Sequence, residues 1–167
     1  MSETAIDWDN WEYGIHATLM FIVQGDEILL IEKKRGLGAG KINGPGGKID
    51  PGETALEAVI RETQEELCVT PKGITKVGEL QFEMSHVPNI RCHVYRAEDL
   101  EGTPTETDEA VPLWTKLDAI PYERMWEDDR HWMPHLISNT TFHGRFIFQE
   151  ESMQWMDMQT GVTWTGE

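Results

Sequence analysis

A glycine-rich segment leads directly into an acidic, helix-forming segment between residues 44 and 67, where the chain reads GPGGKIDPGETALEAVIRETQEEL. Thr54 and Glu57 have the spacing of a capping box, which predicts that a helix begins there. Apolar residues then recur at helical spacing and predict its buried side, formed by Leu56, Val59 or Ile60, Thr63 and Leu67. A loop joined to a helix in this way brings backbone groups and helix side chains to one place.

Glu62, Glu65 and Glu66 are the unusual feature of this helix, because residues three and four apart are neighbours on a helical surface. Their charges repel, which leaves two interpretations: a charged face turned to solvent, or ligands for a divalent cation. The glycines at 44, 46 and 47 favour the second interpretation, because they allow the backbone to approach closely. Oxygen ligands of this kind suit Mg²⁺.

Charge and composition limit the partners of the chain. The formal net charge is -16, and binders of nucleic acid normally present a basic surface, so DNA, RNA and anionic membranes are not expected as partners. An anionic ligand would need a bridging cation. Cys68 and Cys92 have no disulfide or metal spacing, and the acidic N-terminus is unlike a signal peptide, so we expect a cytoplasmic protein.

The order of elements predicts a mixed sheet with helices on its faces, in one α/β domain spanning residues 1–167. Strands are predicted at residues 17–23, 27–34, 76–84, 90–98, 113–117, 144–149 and 153–158. A second helix is predicted around residues 122–139, where apolar residues recur at helical spacing from Met125. We expect loose ends before about residue 10 and after about residue 158.

Three basic residues precede the glycine-rich segment: Lys33, Lys34 and Arg35. They stand out in an acidic chain and are suited to contact phosphate oxygens. Charged residues also protect the edge strand of a sheet from pairing with another chain. Both interpretations remain open at the level of sequence.

The segment from Gly47 to Val69 resembles the signature of the Nudix hydrolases, G-x5-E-x7-R-E-U-x-E-E-x-G-U. Gly47, Glu53, Arg61, Glu62, Glu65 and Glu66 match it, whereas Thr63 replaces an aliphatic residue and Cys68 replaces a glycine. From about residue 18 to 148 the sequence is similar to the branch of the family that hydrolyses oxidised purine nucleoside triphosphates such as 8-oxo-dGTP. The resemblance implies an α/β/α sandwich around a mixed sheet, Mg²⁺ or Mn²⁺ as cofactor, and a nucleotide as substrate.

The resemblance also assigns roles to residues. The implied metal ligands are the carbonyl of Gly46 and the carboxylates of Glu62, Glu65, Glu66 and Glu109; these carboxylates and Arg61 form the implied catalytic set. The residues implied to bind substrate are Thr18, Lys33, Asn43, Gly46, Gly47, Lys48, Phe82, Trp126, Asp128 and Asp129. Without the resemblance, an Asp-Asp pair is typical of a solvated turn, and Phe82 and Trp126 are typical of a core.

Two rival functions follow from the same residues. The first is Nudix chemistry on another substrate, such as a nucleotide sugar, a dinucleoside polyphosphate or an RNA cap. The second is a Nudix-like domain that binds nucleotide without hydrolysing it. The presence of Glu62, Glu65 and Glu66 argues against this alternative. The leading hypothesis is a monomeric, Mg²⁺-dependent hydrolase that cleaves oxidised purine triphosphates to the monophosphate and pyrophosphate.

Overall fold

A computed structural model describes residues 6–164 of the 167-residue chain. An eight-stranded mixed sheet forms its centre, with seven strands in the order β10-β9-β5-β6-β1-β2-β3 and β8 also paired to β2. The pairs β1–β6 and β5–β9 are parallel, and the other pairs in this sheet are antiparallel. The short strands β4 and β7 form a separate antiparallel pair.

The strands are β1 (Ile15–Gln24), β2 (Glu27–Lys33), β3 (Ile42–Asn43), β4 (Thr70–Lys72), β5 (Thr75–Glu83), β6 (Ile90–Ala97), β7 (Asp99–Glu101), β8 (Ala110–Lys116), β9 (Phe142–Gln149) and β10 (Ser152–Thr160). The helices are α1 (Ala55–Leu67) and α2 (Asp129–Ile137), and short 3₁₀ turns cover Trp8–Asn10 and Tyr122–Arg124. Strands β3, β4 and β7 are too short to give a periodic signal in the sequence.

The two helices pack on opposite faces of the sheet, so the predicted α/β/α sandwich is confirmed. Val59 and Leu67 of α1 share one apolar core with β1, β2 and β6. Trp132 and Met133 of α2 share the other core with β5, β6 and β9. Burial of apolar side chains on both faces explains why the central strands are almost continuously hydrophobic.

Helix α1 begins as its sequence predicts, because Thr54 and Glu57 form both hydrogen bonds of a capping box. The predicted buried side was wrong at Leu56, which is 43% exposed. Leu56 lies in the first turn of the helix, and the buried residues of α1 run from Ala58 to Leu67. The hydrophobic spacing was therefore right for the body of the helix but not for its beginning.

The second predicted helix was too long. Tyr122–Arg124 form a 3₁₀ turn, and α2 begins only at Asp129, so Met125 and Trp126 lie in the connection before it. Met125 is buried and Trp126 packs against the same core as α2. Apolar residues in this connection therefore reproduced a helical spacing without being helical. At the other end of the chain, β10 continues to Thr160, beyond the strand boundary predicted at Met158.

Candidate active site

The glycine-rich segment runs antiparallel alongside the first half of β1. Thr18 donates its backbone N–H to the Gly47 carbonyl at 2.9 Å and its hydroxyl to the same oxygen at 3.2 Å. A Cβ atom on Gly46 would lie 2.0 Å from the Thr18 carbonyl oxygen, and one on Gly47 would lie 2.6 Å from the Glu62 carboxyl carbon. Only glycine therefore fits against the β1 backbone at position 46, whereas a side chain at position 47 would displace the Glu62 carboxylate.

The three α1 glutamates share a face, as predicted, but they differ in environment. The Glu65 side chain is 57% exposed and that of Glu62 is 18% exposed, whereas Glu66 is buried. Gly46 donates its backbone N–H to Glu66 Oε2 at 2.9 Å, which links the glycine-rich segment to the helix. The face is therefore not a uniformly solvated one, and Glu66 is its innermost carboxylate.

Burial, together with the nearby charges of Glu62 and Glu109, raises the pKa of Glu66 to about 7, although the Gly46 hydrogen bond opposes the change. Burial also raises the pKa of Glu62, although hydrogen bonding to Arg61 opposes the change. The cationic groups nearby do not fully offset the cost of ionising both Glu62 and Glu66. Such a place favours either a proton or a metal cation.

Arg61 ties α1 to the preceding loop. Its Nε donates to Glu53 Oε2 at 2.7 Å, its Nη2 donates to Glu53 Oε1 at 2.9 Å, and its Nη1 donates to Glu62 Oε1 at 2.9 Å. Arg61 Nη2 also donates to the Lys48 carbonyl at 3.1 Å. This bidentate pairing explains why the pKa of Glu53 is lowered to about 2. The geometry makes Arg61 a positioning residue for Glu62.

Glu109, in the loop before β8, lines the same groove as the α1 glutamates. Arg35 binds its carboxylate through Nε at 2.9 Å and through Nη2, which lowers the pKa of Glu109. The loop itself is held by Thr107, whose hydroxyl donates to the Glu66 carbonyl at 2.7 Å. Thr107 was missed in the sequence, where it has the appearance of an ordinary turn residue. Its threonine side chain gave no signal by which it could have been found.

These residues line one open groove: Lys33, Arg35, Gly36, Gly46, Gly47, Lys48, Glu62, Glu65, Glu66, Thr107, Asp108 and Glu109. Its oxygen donors are chemically suited to a hard divalent cation. Within residues 6–164, however, no three His, Cys, Asp or Glu side chains already converge closely enough to hold a metal ion. Arg61 and Arg35 engage Glu62 and Glu109 instead, so the donor set fits a cation in chemistry but is not assembled around one.

A deeper, mostly apolar pocket lies beside this groove and encloses about 830 Å³, including its part open to solvent. Phe82 and Trp126 form aromatic walls: Phe82 stacks on Phe146 at 5.3 Å, and Trp126 meets Phe148 edge-on at 5.8 Å. Asn43 also lines the pocket, with its Oδ1 oriented by the Gly44 N–H at 2.8 Å.

Asp128 and Asp129 are both buried and both line the apolar pocket, so they are not a solvated turn. Asp128 Oδ2 accepts a hydrogen bond from Trp132 Nε1 at 2.7 Å. Asp129 Oδ2 is buried and has no hydrogen-bond partner within the described residues. Burial raises the pKa of both carboxyls, and the neighbouring Asp128 raises that of Asp129 further. The pair therefore favours a form that retains a proton.

The two cavities share part of their lining: Lys33, Gly46, Gly47 and Glu66. Thr18 also lines the pocket, and Lys48 lines the groove. Every residue to which the resemblance assigns a role therefore lines one of two adjoining cavities, apart from Arg61. Arg61 contacts Glu62 of the groove but does not itself line it. Lys34 differs from its neighbours: it pairs with Glu106 and is absent from the lining of either cavity.

Residues 14–136 match the family model described as the NUDIX domain. The chain therefore belongs to the Nudix family, and the resemblance of residues 47–69 to its signature is confirmed. A mouse protein named oxidized purine nucleoside triphosphate hydrolase is 41% identical over 135 residues, covering 80% of this chain and 86% of that protein. A zebrafish protein of the same name is 43% identical over 133 residues, covering 79% and 85% of the two chains.

The fold is also similar to solved structures. A MutT protein from Bacillus halodurans superposes with a TM-score of 0.78 and 25% identity, covering 87% of this chain and 97% of that one. The mixed sheet with a helix on each face is thus shared along almost the whole length of that protein.

Proposed function

We propose that this chain hydrolyses oxidised purine nucleoside triphosphates, 8-oxo-dGTP above all, to the monophosphate and pyrophosphate, and so removes them from the nucleotide pool. The observation that carries the proposal is the adjoining pair of cavities. An apolar pocket with aromatic walls and buried carboxyls suits a purine, and it opens onto a groove of carboxylates and basic groups that suits a triphosphate. The names of the mouse and zebrafish relatives support this assignment.

In the groove, the Gly46 carbonyl and the carboxylates of Glu62, Glu65, Glu66 and Glu109 would hold Mg²⁺, or Mn²⁺ in its place. A bound divalent cation supplies charge neutralisation on phosphate oxygens and lowers the pKa of a water. Lys33 adds a positive charge where the groove meets the pocket. Gly46 lets the backbone pack directly against β1, and Gly47 lets it pass close beside the Glu62 carboxylate.

The reaction needs a water molecule aimed at phosphorus and a group that takes its proton. The water oxygen forms the new bond to phosphorus, the anhydride bond between the α and β phosphates breaks, and pyrophosphate leaves. Glu109 or one of the α1 glutamates Glu62, Glu65 and Glu66 accepts the proton from the water. Arg61 does not take part in proton transfer, because it is always charged; it keeps Glu62 oriented through two-sided pairing with Glu53 and Glu62.

In the pocket, the purine would stack on Phe82 and Trp126, while Asn43 and the aspartate pair bind polar atoms on its edge. A carboxyl that keeps its proton donates a hydrogen bond, and its ionised partner accepts one. The pair can therefore bind an edge that offers one donor and one acceptor. A buried carboxylate with no base to bind is unfavourable, which makes the pocket selective for ligands that satisfy it.

We further propose that the enzyme acts as a monomer in the cytoplasm on free nucleotides. No helix within residues 6–164 is long and apolar enough to cross a membrane. The net charge of -16 disfavours binding to long polyanions such as nucleic acids. A single nucleotide whose phosphates are bridged by a cation does not meet the same repulsion.

A panel of nucleotides tests the function. Purified protein is incubated with Mg²⁺ and equal concentrations of 8-oxo-dGTP, dGTP, a nucleotide sugar and a dinucleoside polyphosphate, and the products are separated by chromatography. We expect 8-oxo-dGTP to give monophosphate and pyrophosphate with the highest kcat/KM. Preference for another member of the panel would place the chain elsewhere in its family, and tight binding without products would make it a nucleotide-binding domain.

A further inference from the structure

Trp126, one wall of the apolar pocket, is contacted by residues of the loop that follows β2. Gly38, with a φ of +81°, lies so close to the indole that a Cβ atom there would be 2.8 Å from Trp126 Nε1. The Lys41 ammonium lies over the indole, 5.1 Å from the ring centroid. Lys41 is outside the lining of the pocket, whereas Trp126 belongs to it. The Lys41 charge also acts on the buried carboxyl of Asp129, whose pKa it lowers against the effect of burial.

Lys41 is in turn held by the turn between β9 and β10. Its ammonium pairs with Glu151 Oε1 at 2.9 Å, and the Lys41 side chain is 25% exposed. The turn is anchored on both sides of Glu151. Met153 donates its backbone N–H to Glu127 Oε1 at 2.5 Å, and Glu150 donates its own to Ser85 Oγ at 2.8 Å. Glu151 thus projects from a fixed turn toward the loop that carries Lys41.

We propose that Lys41, oriented by Glu151, is a positioning residue that fixes Trp126 as a rigid wall for the purine. This inference rests on the proposed function, because it assumes that the pocket holds a base. Trp126 lies in an irregular connection before α2, where backbone structure alone does not determine its side-chain orientation. A cation over one surface of the indole restrains the orientation of the ring.

The magnitude of the contact suits such a role. A cation over an exposed aromatic ring and an exposed ion pair are both weak contacts. Neither contact would add much to the free energy of folding. Both would act on ligand binding, because a wall that is already ordered does not have to be ordered when the purine enters. The expected effect is therefore on affinity rather than on the chemical step.

Four variants and a control separate this role from that of an ordinary surface ion pair. The variants are Lys41→Gln, Glu151→Gln, the double variant and Lys41→Arg. The control is Lys116→Gln, which removes a lysine that pairs with Asp26 at 3.1 Å at the start of β2, away from both cavities. Each protein is assayed for kcat and KM with 8-oxo-dGTP. Each is also titrated calorimetrically with 8-oxo-2′-deoxyguanosine in buffer containing EDTA.

We expect Lys41→Gln to raise KM and the dissociation constant of the nucleoside roughly threefold to fivefold, with kcat nearly unchanged. Glu151→Gln should give a smaller rise, and the double variant should be no worse than Lys41→Gln, because Glu151 acts through Lys41. Lys41→Arg should restore binding, and Lys116→Gln should match the parent. Additive losses, or a Lys41→Gln affinity equal to that of the control, would overturn the proposal.

The nucleoside titration separates failure of this inference from failure of the proposed function. A parent that binds the nucleoside but does not hydrolyse the triphosphate contradicts the function, while the Lys41 effect on binding still supports the inference. A parent that hydrolyses 8-oxo-dGTP, with variants that bind the nucleoside equally well, supports the function and overturns the inference. Melting temperatures of all variants confirm that each comparison is made between folded proteins.

Discussion

The groove and the apolar pocket both contain clustered carboxyl groups, but these groups differ in their cationic partners and in their burial. Arginine side chains bind Glu62 and Glu109 in the groove and Glu53 beside it. The pKa values of Glu53 and Glu109 are lowered, whereas burial raises that of Glu62. In the pocket, Asp128 and Asp129 are buried together, and the pKa of each is raised. An exposed carboxyl with an arginine partner, such as Glu109, is thus favoured in its ionised form, whereas the buried aspartate pair favours a form that retains a proton.

Glu66 lies between these two cases. It lines both cavities, it is buried like the aspartates, and it belongs to the carboxylate cluster of the groove. Its pKa of about 7 reflects that position. The comparison shows that solvent access and the presence of a cationic partner, rather than residue type, determine the role that a carboxyl can take.

The largest effect is expected from Glu66→Gln in the hydrolysis of 8-oxo-dGTP. The substitution keeps the shape of the side chain and an acceptor for the Gly46 N–H, but it removes a charge from the proposed cation site. Turnover at saturating Mg²⁺ should fall by roughly 10²-fold or more. Glu101→Gln, which removes an exposed carboxylate on β7, is the matched control. Normal turnover by Glu66→Gln would remove Glu66 from the metal site.

Asp128→Asn and Asp129→Asn should weaken base binding while leaving binding of Mg²⁺ unchanged. A buried hydrogen bond to a charged group contributes about 1.5–3 kcal/mol, so each variant should lose roughly tenfold to a hundredfold in affinity for 8-oxo-2′-deoxyguanosine. Calorimetric titration with the nucleoside in EDTA isolates this end of the site. If both variants still prefer the oxidised nucleoside to deoxyguanosine by the parent's margin, the pair does not bind the base.

The same pair should make binding depend on pH. Its raised pKa means that a proton is present at low pH and is lost as the pH rises through that pKa. Loss of the proton removes a donor to the purine, so nucleoside affinity should fall with rising pH. The titration is best made in the Glu66→Gln background, since Glu66 titrates near 7 and lines the same pocket. A flat profile there would exclude a shared proton as the source of recognition.

Glu66→Gln should also stabilise the metal-free protein. A glutamate whose pKa is raised in the folded state binds its proton more tightly there than in the unfolded chain. Its favourable contribution is present below the unfolded pKa and is lost as the pH rises through about 7. In EDTA at pH 8 the variant should therefore be more stable to urea than the parent, by roughly 1–3 kcal/mol, with little difference near pH 5. A parent that is equally or more stable at pH 8 would show that Glu66 ionises without penalty.

How far sequence alone could lead differs between the two regions. The groove was predictable because Glu62, Glu65 and Glu66 lie on one helix, where spacing fixes which side chains are neighbours. The difference in burial between Glu65 and Glu66 was not predictable, because it depends on where the glycine-rich segment packs. Local spacing determines which residues are close together, and tertiary packing determines their environment.

The pocket was hidden from residue patterns altogether. Asp128 and Asp129 are adjacent polar residues, which is typical of a turn, and their burial follows from packing around Trp132 and the start of α2. The contact of Arg35 with Glu109 joins positions 74 residues apart in the chain. Arg35 was therefore open to interpretation as a phosphate ligand or a strand-edge charge until the fold brought its partner beside it.

The smallest expected effect concerns Cys68, which ends the helix of the groove. Its φ of 62° and ψ of 29° are left-handed, and its N–H donates to the Gln64 carbonyl as a helix cap. A residue with a Cβ atom is disfavoured in this conformation, whereas glycine adopts it readily. Cys68→Gly should therefore stabilise the protein by a few tenths to about 1 kcal/mol, even though glycine loses more entropy on folding.

The measurement is urea denaturation at fixed pH in EDTA, with Cys68→Ala as the matched variant because it removes the thiol but keeps the Cβ atom. Stabilisation by glycine and not by alanine would assign the effect to the left-handed backbone. Kinetic constants for 8-oxo-dGTP should be unchanged in both, since Cys68 is exposed and outside the lining of both cavities. A less stable Cys68→Gly would mean that the helix gains more from limiting the freedom of the unfolded chain than it loses to strain at its end.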